Sequence, residues 1–150
     1  MANRALVGRE FPAVTATIDA ESVKAFARAL GETDPLYLDE EAARRGPFGG
    51  IIAPPTYPIA FMAQSMAGAA SSFDELGLNF MTLVHGEQEF EYARPVRAGE
   101  TLTLTARIRD VYEKTGRSGV LDILVLETEA ADESGETVFS SRQTLVSKRA

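Results

Sequence analysis

Cysteine is absent from the 150 residues, and histidine occurs once, as His85. The first absence excludes a disulfide framework, a thiolate metal site and a cysteine nucleophile. The second leaves one side chain whose ordinary pKa lies near neutrality. Positive charge is also scarce: 15 Lys and Arg face 22 Asp and Glu, a formal charge of -7. The densest basic groups are Arg44-Arg45 and Arg94 with Arg97. Broad polyanion binding, nucleic acid included, is excluded, while one small phosphate at a local arginine pair stays open. Residues 1–10 hold no apolar stretch of signal-peptide length, so the expectation is a cytoplasmic protein. The longest apolar run, residues 51–70, approaches the length of a membrane span. It carries Pro54, Pro55, Pro58, Gln64 and Ser65, and reads instead as a buried helix with a proline-rich start.

What is present predicts one domain, residues 1–150. Phe11 to Ile18 reads as a strand. Asp19 is a good N-cap for a helix carrying Val23, Phe26, Ala27 and Leu30 at helical spacing and closed by Gly31. Residues 32–37 read as a loop, and Asp39 to Arg45 as a short helix. The glycine-rich turn 46–50 leads into the apolar helix, which runs to about Ala70 and is rich in small residues. An α-helix apolar nearly all round belongs in an interior. The period then falls from 3.6 to 2. Strands are expected over Leu83–Tyr92, Thr101–Arg109, Val120–Thr128 and Thr137–Ser147, with glycine-bearing turns at 97–100, 115–119 and 132–136 between them. Leu102, Leu104, Ala106 and Ile108 should face inward. The fold class is α+β, a curved antiparallel sheet wrapped around a central hydrophobic helix.

Three segments carry a family resemblance. Gly31-Glu32-Thr33-Asp34-Pro35-Leu36-Tyr37 resembles the Gly-Asp-x-Asn-Pro-Leu-His loop of MaoC-like (R)-specific hydratases. Gly49-Gly50-Ile51-Ile52-Ala53-Pro54-Pro55-Thr56 is similar to the start of their central helix. His85-Gly86-Glu87-Gln88, continuing to Arg94-Pro95-Val96-Arg97-Ala98-Gly99-Glu100, resembles their following strand and turn. The Ala-Pro-Pro-Thr and His-Gly-Glu-Gln segments match the N-terminal-type subfamily best. That group includes non-catalytic partners in mycolic-acid dehydratases and the dehydratase region of type I fatty acid synthases. The resemblance implies a hot-dog fold, an acyl-thioester substrate carried on CoA or acyl carrier protein, and no metal or redox cofactor.

The resemblance also shows what is missing. Active members use the loop Asp and His on the α-proton and the hydroxyl of a thioester. Here Glu32 stands at the Asp position, Asp34 at the Asn position and Tyr37 at the His position. A tyrosine near pKa ~10 is a poor base at neutral pH, where a histidine near ~6.5 is well matched. The remaining acid/base candidates are His85, Asp34 and Glu32. For each there is a plainer structural reading: a hydrogen bond for His85, a turn cap for Asp34, a solvated loop position for Glu32. In a regular strand His85 shares the acidic face of Glu87, Glu89 and Glu91, unless a bulge at Gly86 redirects it. Substrate-binding candidates are Tyr37, Pro55, Thr56, Tyr57, Gln88 and Arg94. Thr56, Tyr57 and Ile59 supply the amide donors between the prolines, where a carbonyl oxygen would be favoured.

Three functions follow. The first is the acyl-thioester-binding subunit of a 3-hydroxyacyl thioester dehydratase or enoyl hydratase, working with a hot-dog partner that bears the Asp and His. The second is a self-sufficient homodimer using His85, Asp34 and Glu32. The third is a non-enzymatic thioester or lipid binder, or a thioesterase, since fold alone never settles function. A dimer is expected in each, because a hot-dog sheet leaves an edge strand to cover.

Overall fold

The computed structural model describes residues 3–62, 75–76, 78, 80–116 and 119–148. The elements run in the order β1 (Val14–Thr17), α1 (Ala20–Ala29), α2 (Pro35–Leu38), α3 (Glu40–Arg45), β2 (Leu83–Tyr92), β3 (Thr101–Gly116), β4 (Gly119–Ala131) and β5 (Thr137–Lys148). The five strands form one sheet in the order β1-β3-β4-β5-β2, and every pairing is antiparallel. No helix among the described residues is long and apolar enough to cross a membrane.

Local chemistry accounts for the helices. The Asp19 carboxylate accepts from the Ser22 amide and caps α1, and Gly31 leaves it at φ +77°. Asp39 caps α3 through the Ala42 amide. The expected loop at 32–37 is corrected: Pro35 to Leu38 form a helical turn. Asp34 accepts from the Leu36 amide at 2.9 Å and Pro35 occupies the first helical position, where its missing N–H costs nothing. The first strand is shorter than expected. Pro12 offers no donor, so residues 10–11 follow β3 only through a bridge and the Phe11 amide before β1 begins at Val14.

The inner sheet face carries the core. Leu102, Leu104, Ala106 and Ile108 are buried as alternation requires. β3 runs past the expected end at Arg109, because a bulge between Ile108 and Asp110 re-phases it and keeps Val111 opposite Leu124 inside. Against this face lie Ile51, Ala53, Tyr57, Phe61 and Met62, in one cluster with Val23 of α1, Ala43 of α3 and Phe139 of β5. A second cluster joins Phe11, Leu76 and Leu78 to Ile108, Leu126 and Leu145. Residues 59–62 open the expected central helix; its continuation from Ala63 to Ala70 lies outside the described residues. Lys24, nearly buried, ties α1 to α3 by bonding Glu21 at 2.8 Å and Glu40 at 2.6 Å.

Two stability outcomes follow. Leu102 is 0% exposed, so Leu102→Ala should cost about 3 kcal/mol by urea unfolding. The hydrogen bond and charge of Lys24 hold the Glu40 carboxyl below its ordinary range. A depressed carboxyl stabilises the fold above its unfolded pKa and loses that contribution as pH falls through the folded value. Glu40→Gln should therefore lower the urea midpoint at pH 7, and the gap to wild type should close on acidification.

Candidate functional site

The C-terminal end of β2, the turn after it, α2 and the proline-rich segment surround one groove. Leu36, Tyr37, Phe48, Ile52, Ala53, Pro55, Tyr92, Ala93, Arg94, Pro95 and Val96 line its volume of about 470 Å³. Ala53 N–H donates to Val96 O at 2.8 Å, and Ile52 N–H to Leu36 O at 3.3 Å, so backbone bonds tie three walls together. Tyr92 closes the corner: its hydroxyl donates to Pro55 O at 2.5 Å and its ring lies 5.6 Å from that of Phe139. Burial pushes the Tyr92 phenol up to about 12. The walls are aliphatic and aromatic, with few polar atoms, which suits an apolar chain.

Tyr37, Pro55 and Arg94, three of the expected binding residues, meet here. Tyr37 is half-buried, and burial, then Glu32 and Asp34, raise its phenol above the ordinary value. At neutral pH it is a hydrogen-bond donor and not a base. Glu32 and Asp34 are exposed beside it, and the Asp34 carboxylate is occupied as the cap of α2. The Arg94 guanidinium is engaged by Glu100 at 2.8 Å, Asp132 at 3.0 Å and Pro95 O at 3.1 Å. Its positive charge ties the turn after β2 to the β4–β5 turn.

The remaining candidates lie elsewhere. Tyr57 is a core residue, edge-on to Phe26 at 5.3 Å and to Phe61 at 5.8 Å. Of the three amides expected at the helix start, Tyr57 N–H donates to Pro54 O and Ile59 N–H to Thr56 O. Only that of Thr56 has no backbone partner among the described residues. The bulge at Gly86 is present: β2 shifts register against β5 between His85 and Glu87. A Cβ at Gly86 would lie 3.1 Å from Val146 Cγ2 and 3.3 Å from Thr144 O, so only glycine fits without displacement. The shift places His85 opposite Leu145, on the inner face with Gln88, Phe90 and Tyr92 rather than with the glutamates.

Gln88 Nε2 donates to Glu89 O and Arg142 O, which leaves its Oε1 to accept from His85 Nε2 at 3.2 Å. Yet Tyr92 is seven positions further along an extended strand, so His85 stands on the order of 20 Å from the groove. One chain does not bring His85 to Glu32 and Asp34. Among the described residues no group of acidic and histidine side chains is arranged to hold a metal.

The FAS1-like dehydratase domain region is the family whose pattern matches, over residues 5–141. The chain belongs to that family. A UPF0336 protein of Streptomyces griseus is 38% identical over 99% of this chain and 96% of its own length. Among solved structures, the HadBC (3R-hydroxyacyl-ACP dehydratase) complex of Mycobacterium tuberculosis aligns with a TM-score of 0.77 at 25% identity. It covers 94% of this chain and 96% of its own. A MaoC-like dehydratase of Rhodospirillum rubrum aligns with a TM-score of 0.70 at 26% identity, covering 96% and 93%. The fold of this FAS1-like dehydratase-family chain is therefore the hot-dog fold of the MaoC-like dehydratases and hydratases, as the motif resemblance implied. Reading the sequence missed Phe48, Ile52 and Tyr92 as groove walls. Tyr92 was legible from parity, since it shares a face with Gln88 and Phe90.

Tyr92→Phe should cost about 1 kcal/mol of stability at neutral pH by removing one partly buried hydrogen bond. A phenol whose folded pKa is raised favours the fold below its unfolded pKa of about 10 and loses that contribution as pH rises toward 12. The wild-type advantage over the variant, read from urea midpoints, should accordingly shrink through that alkaline window.

Proposed function

We propose that this chain is the acyl-thioester-binding subunit of a 3-hydroxyacyl thioester dehydratase or enoyl hydratase, completed by a hot-dog partner that carries the acid/base pair. The observation behind this reading is the groove itself. It is apolar, it opens beside the loop that resembles the family's catalytic loop, and the side chain at the histidine position is Tyr37, a phenol that cannot act as a base near pH 7. The apolar walls would take the acyl chain, the Tyr37 hydroxyl would donate to a polar group of the substrate, and the Thr56 amide, which has no backbone partner among the described residues, would donate to a carbonyl oxygen. The separation of His85 from Glu32 and Asp34 weighs against a single-chain enzyme. The HadBC dehydratase, similar over nearly the whole fold, is itself named as a complex. A cytoplasmic setting belongs to the same reading.

Calorimetric titration with medium-chain enoyl-CoA and loss of enoyl-thioester absorbance test it together. The chain alone should bind without turnover, and turnover should appear on adding a hot-dog protein bearing Gly-Asp-x-Asn-Pro-x-His. Ala93→Trp, which fills the groove from an exposed position, should weaken binding at least tenfold. Hydration by the chain alone, abolished by His85→Ala, would replace this reading with the self-sufficient enzyme. Binding without turnover in any combination would leave a thioester or lipid carrier.

A further inference from the structure

The two ends of the sheet are finished differently. Along β3, beyond β1, the N-terminal segment continues the pairing: Gly8 N–H donates to Ile108 O, Ile108 N–H to Arg9 O, and Phe11 N–H to Ala106 O. At the other end β2 is the last strand, ten residues long, and among the described residues nothing pairs with its outer edge. A row of unpaired backbone donors and acceptors of that length is a template for another strand.

Its side chains say which strand. After the bulge, Glu87, Glu89 and Glu91 all point to the outer face of the sheet and all are exposed. Glu89 has Arg142 at 3.3 Å, and Arg142 also reaches Glu127 at 3.8 Å. Neither Glu87 nor Glu91 has an ion-pair partner among the described residues. Suppose a second copy paired antiparallel along this edge about a two-fold axis. With the axis at Glu89, Glu87 meets Glu91 of the other copy and Glu89 meets its own equivalent. With the axis at Gln88 or Phe90, Glu87 meets Glu89, or Glu89 meets Glu91. Each of these three registers sets at least one glutamate directly against a glutamate on the outer face, and like charges directly opposite destabilise a strand pair. Each copy also carries a formal charge of -7.

We infer that the outer edge of β2 selects against a second copy of this chain and for a different hot-dog chain. The selected chain's edge strand presents Lys or Arg at alternate positions on the outer face. This rests on the partnered reading above and adds the chemistry by which the partner is chosen. Such charge patterns choose between partners as much by the wrong pairs they forbid as by the right ones they favour. The inner face of the same strand is left to Phe90 and Tyr92.

The test needs only this chain and two variants. E87K/E89K/E91K serves as the surrogate partner with a basic stripe, and E87Q/E89Q/E91Q removes the repulsion without adding attraction. Circular dichroism checks that each folds, and native mass spectrometry and analytical ultracentrifugation read association at low ionic strength, where surface charges are least screened. Wild type mixed with the lysine variant should form a mixed dimer at least tenfold tighter than the wild-type dimer, an advantage that collapses at 1 M salt. Hydrogen exchange should show new protection confined to residues 84–92 of both chains. The glutamine variant should self-associate at least tenfold more tightly than wild type, and it carries the test if the lysine variant fails to fold. The inference is overturned if wild type dimerises as tightly at low salt as the mixture or the glutamine variant. Protection that appears away from β2 overturns it equally. No readout involves a thioester, so failure here leaves the proposed function standing, and loss of thioester binding leaves this result standing.

Discussion

Everything in this molecule depends on one constraint of extended chain: alternate residues must keep facing the same core while the strand changes length and direction. Sliding a strand by one residue would turn its whole apolar row to the outside. β3 and β4 obey it for more than a dozen residues each, with Leu102, Leu104, Ile108, Leu124 and Leu126 all buried. Two bulges preserve the phase where the sequence breaks it. One at Arg109 returns Val111 to the core, and one at Gly86 swings His85 to the inner side.

That constraint also builds the groove. Because Phe90 and Tyr92 share the inner face, the end of β2 delivers a tyrosine hydroxyl to Pro55 O, joining the sheet to the segment that opens the central helix. Two backbone bonds, from Ala53 and Ile52, hold that segment against α2 and residue 96. The walls are thus fixed by main chain and one phenol, while the side chains facing the space are free to be apolar. A site arranged this way can lose its acid/base pair and keep its shape. By the motif resemblance, the chain retains the loop spacing with Glu32, Asp34 and Tyr37 at the Asp, Asn and His positions.

Most of the fold was legible because long strands and capped helices announce themselves through period and end chemistry. The inward set of β3 and the cap at Asp19 are where spacing puts them. The misses have physical causes. Arg109-Asp110 interrupts alternation, so β3 reads as ending where it only bulges. Asp34 before Pro35 reads as the cap of a turn within a loop, whereas it caps a short helix with proline at the first position. The site was half legible. Tyr37, Pro55 and Arg94 do converge, but a list of residue types cannot show that Arg94 is already held by two carboxylates, or that His85 stands a strand's length away. Those are facts of distance, which a motif does not carry.

The same parity separates two kinds of change along β2. Residues 88, 90 and 92 face the core, whereas 87, 89 and 91 face outward at the open edge. A substitution in the outer row alters what can dock against the edge and leaves the aromatic wall untouched. One in the inner row alters the wall and leaves the charge pattern of the edge intact. The proposed partner choice and ligand fit would thus vary independently on ten residues of chain, provided the bulge at Gly86 keeps the two rows in phase. A side chain there would meet Val146 and the Thr144 carbonyl, and a lost bulge would exchange the rows beyond it. The glycine is therefore the point where both rows of the strand would lose their places together.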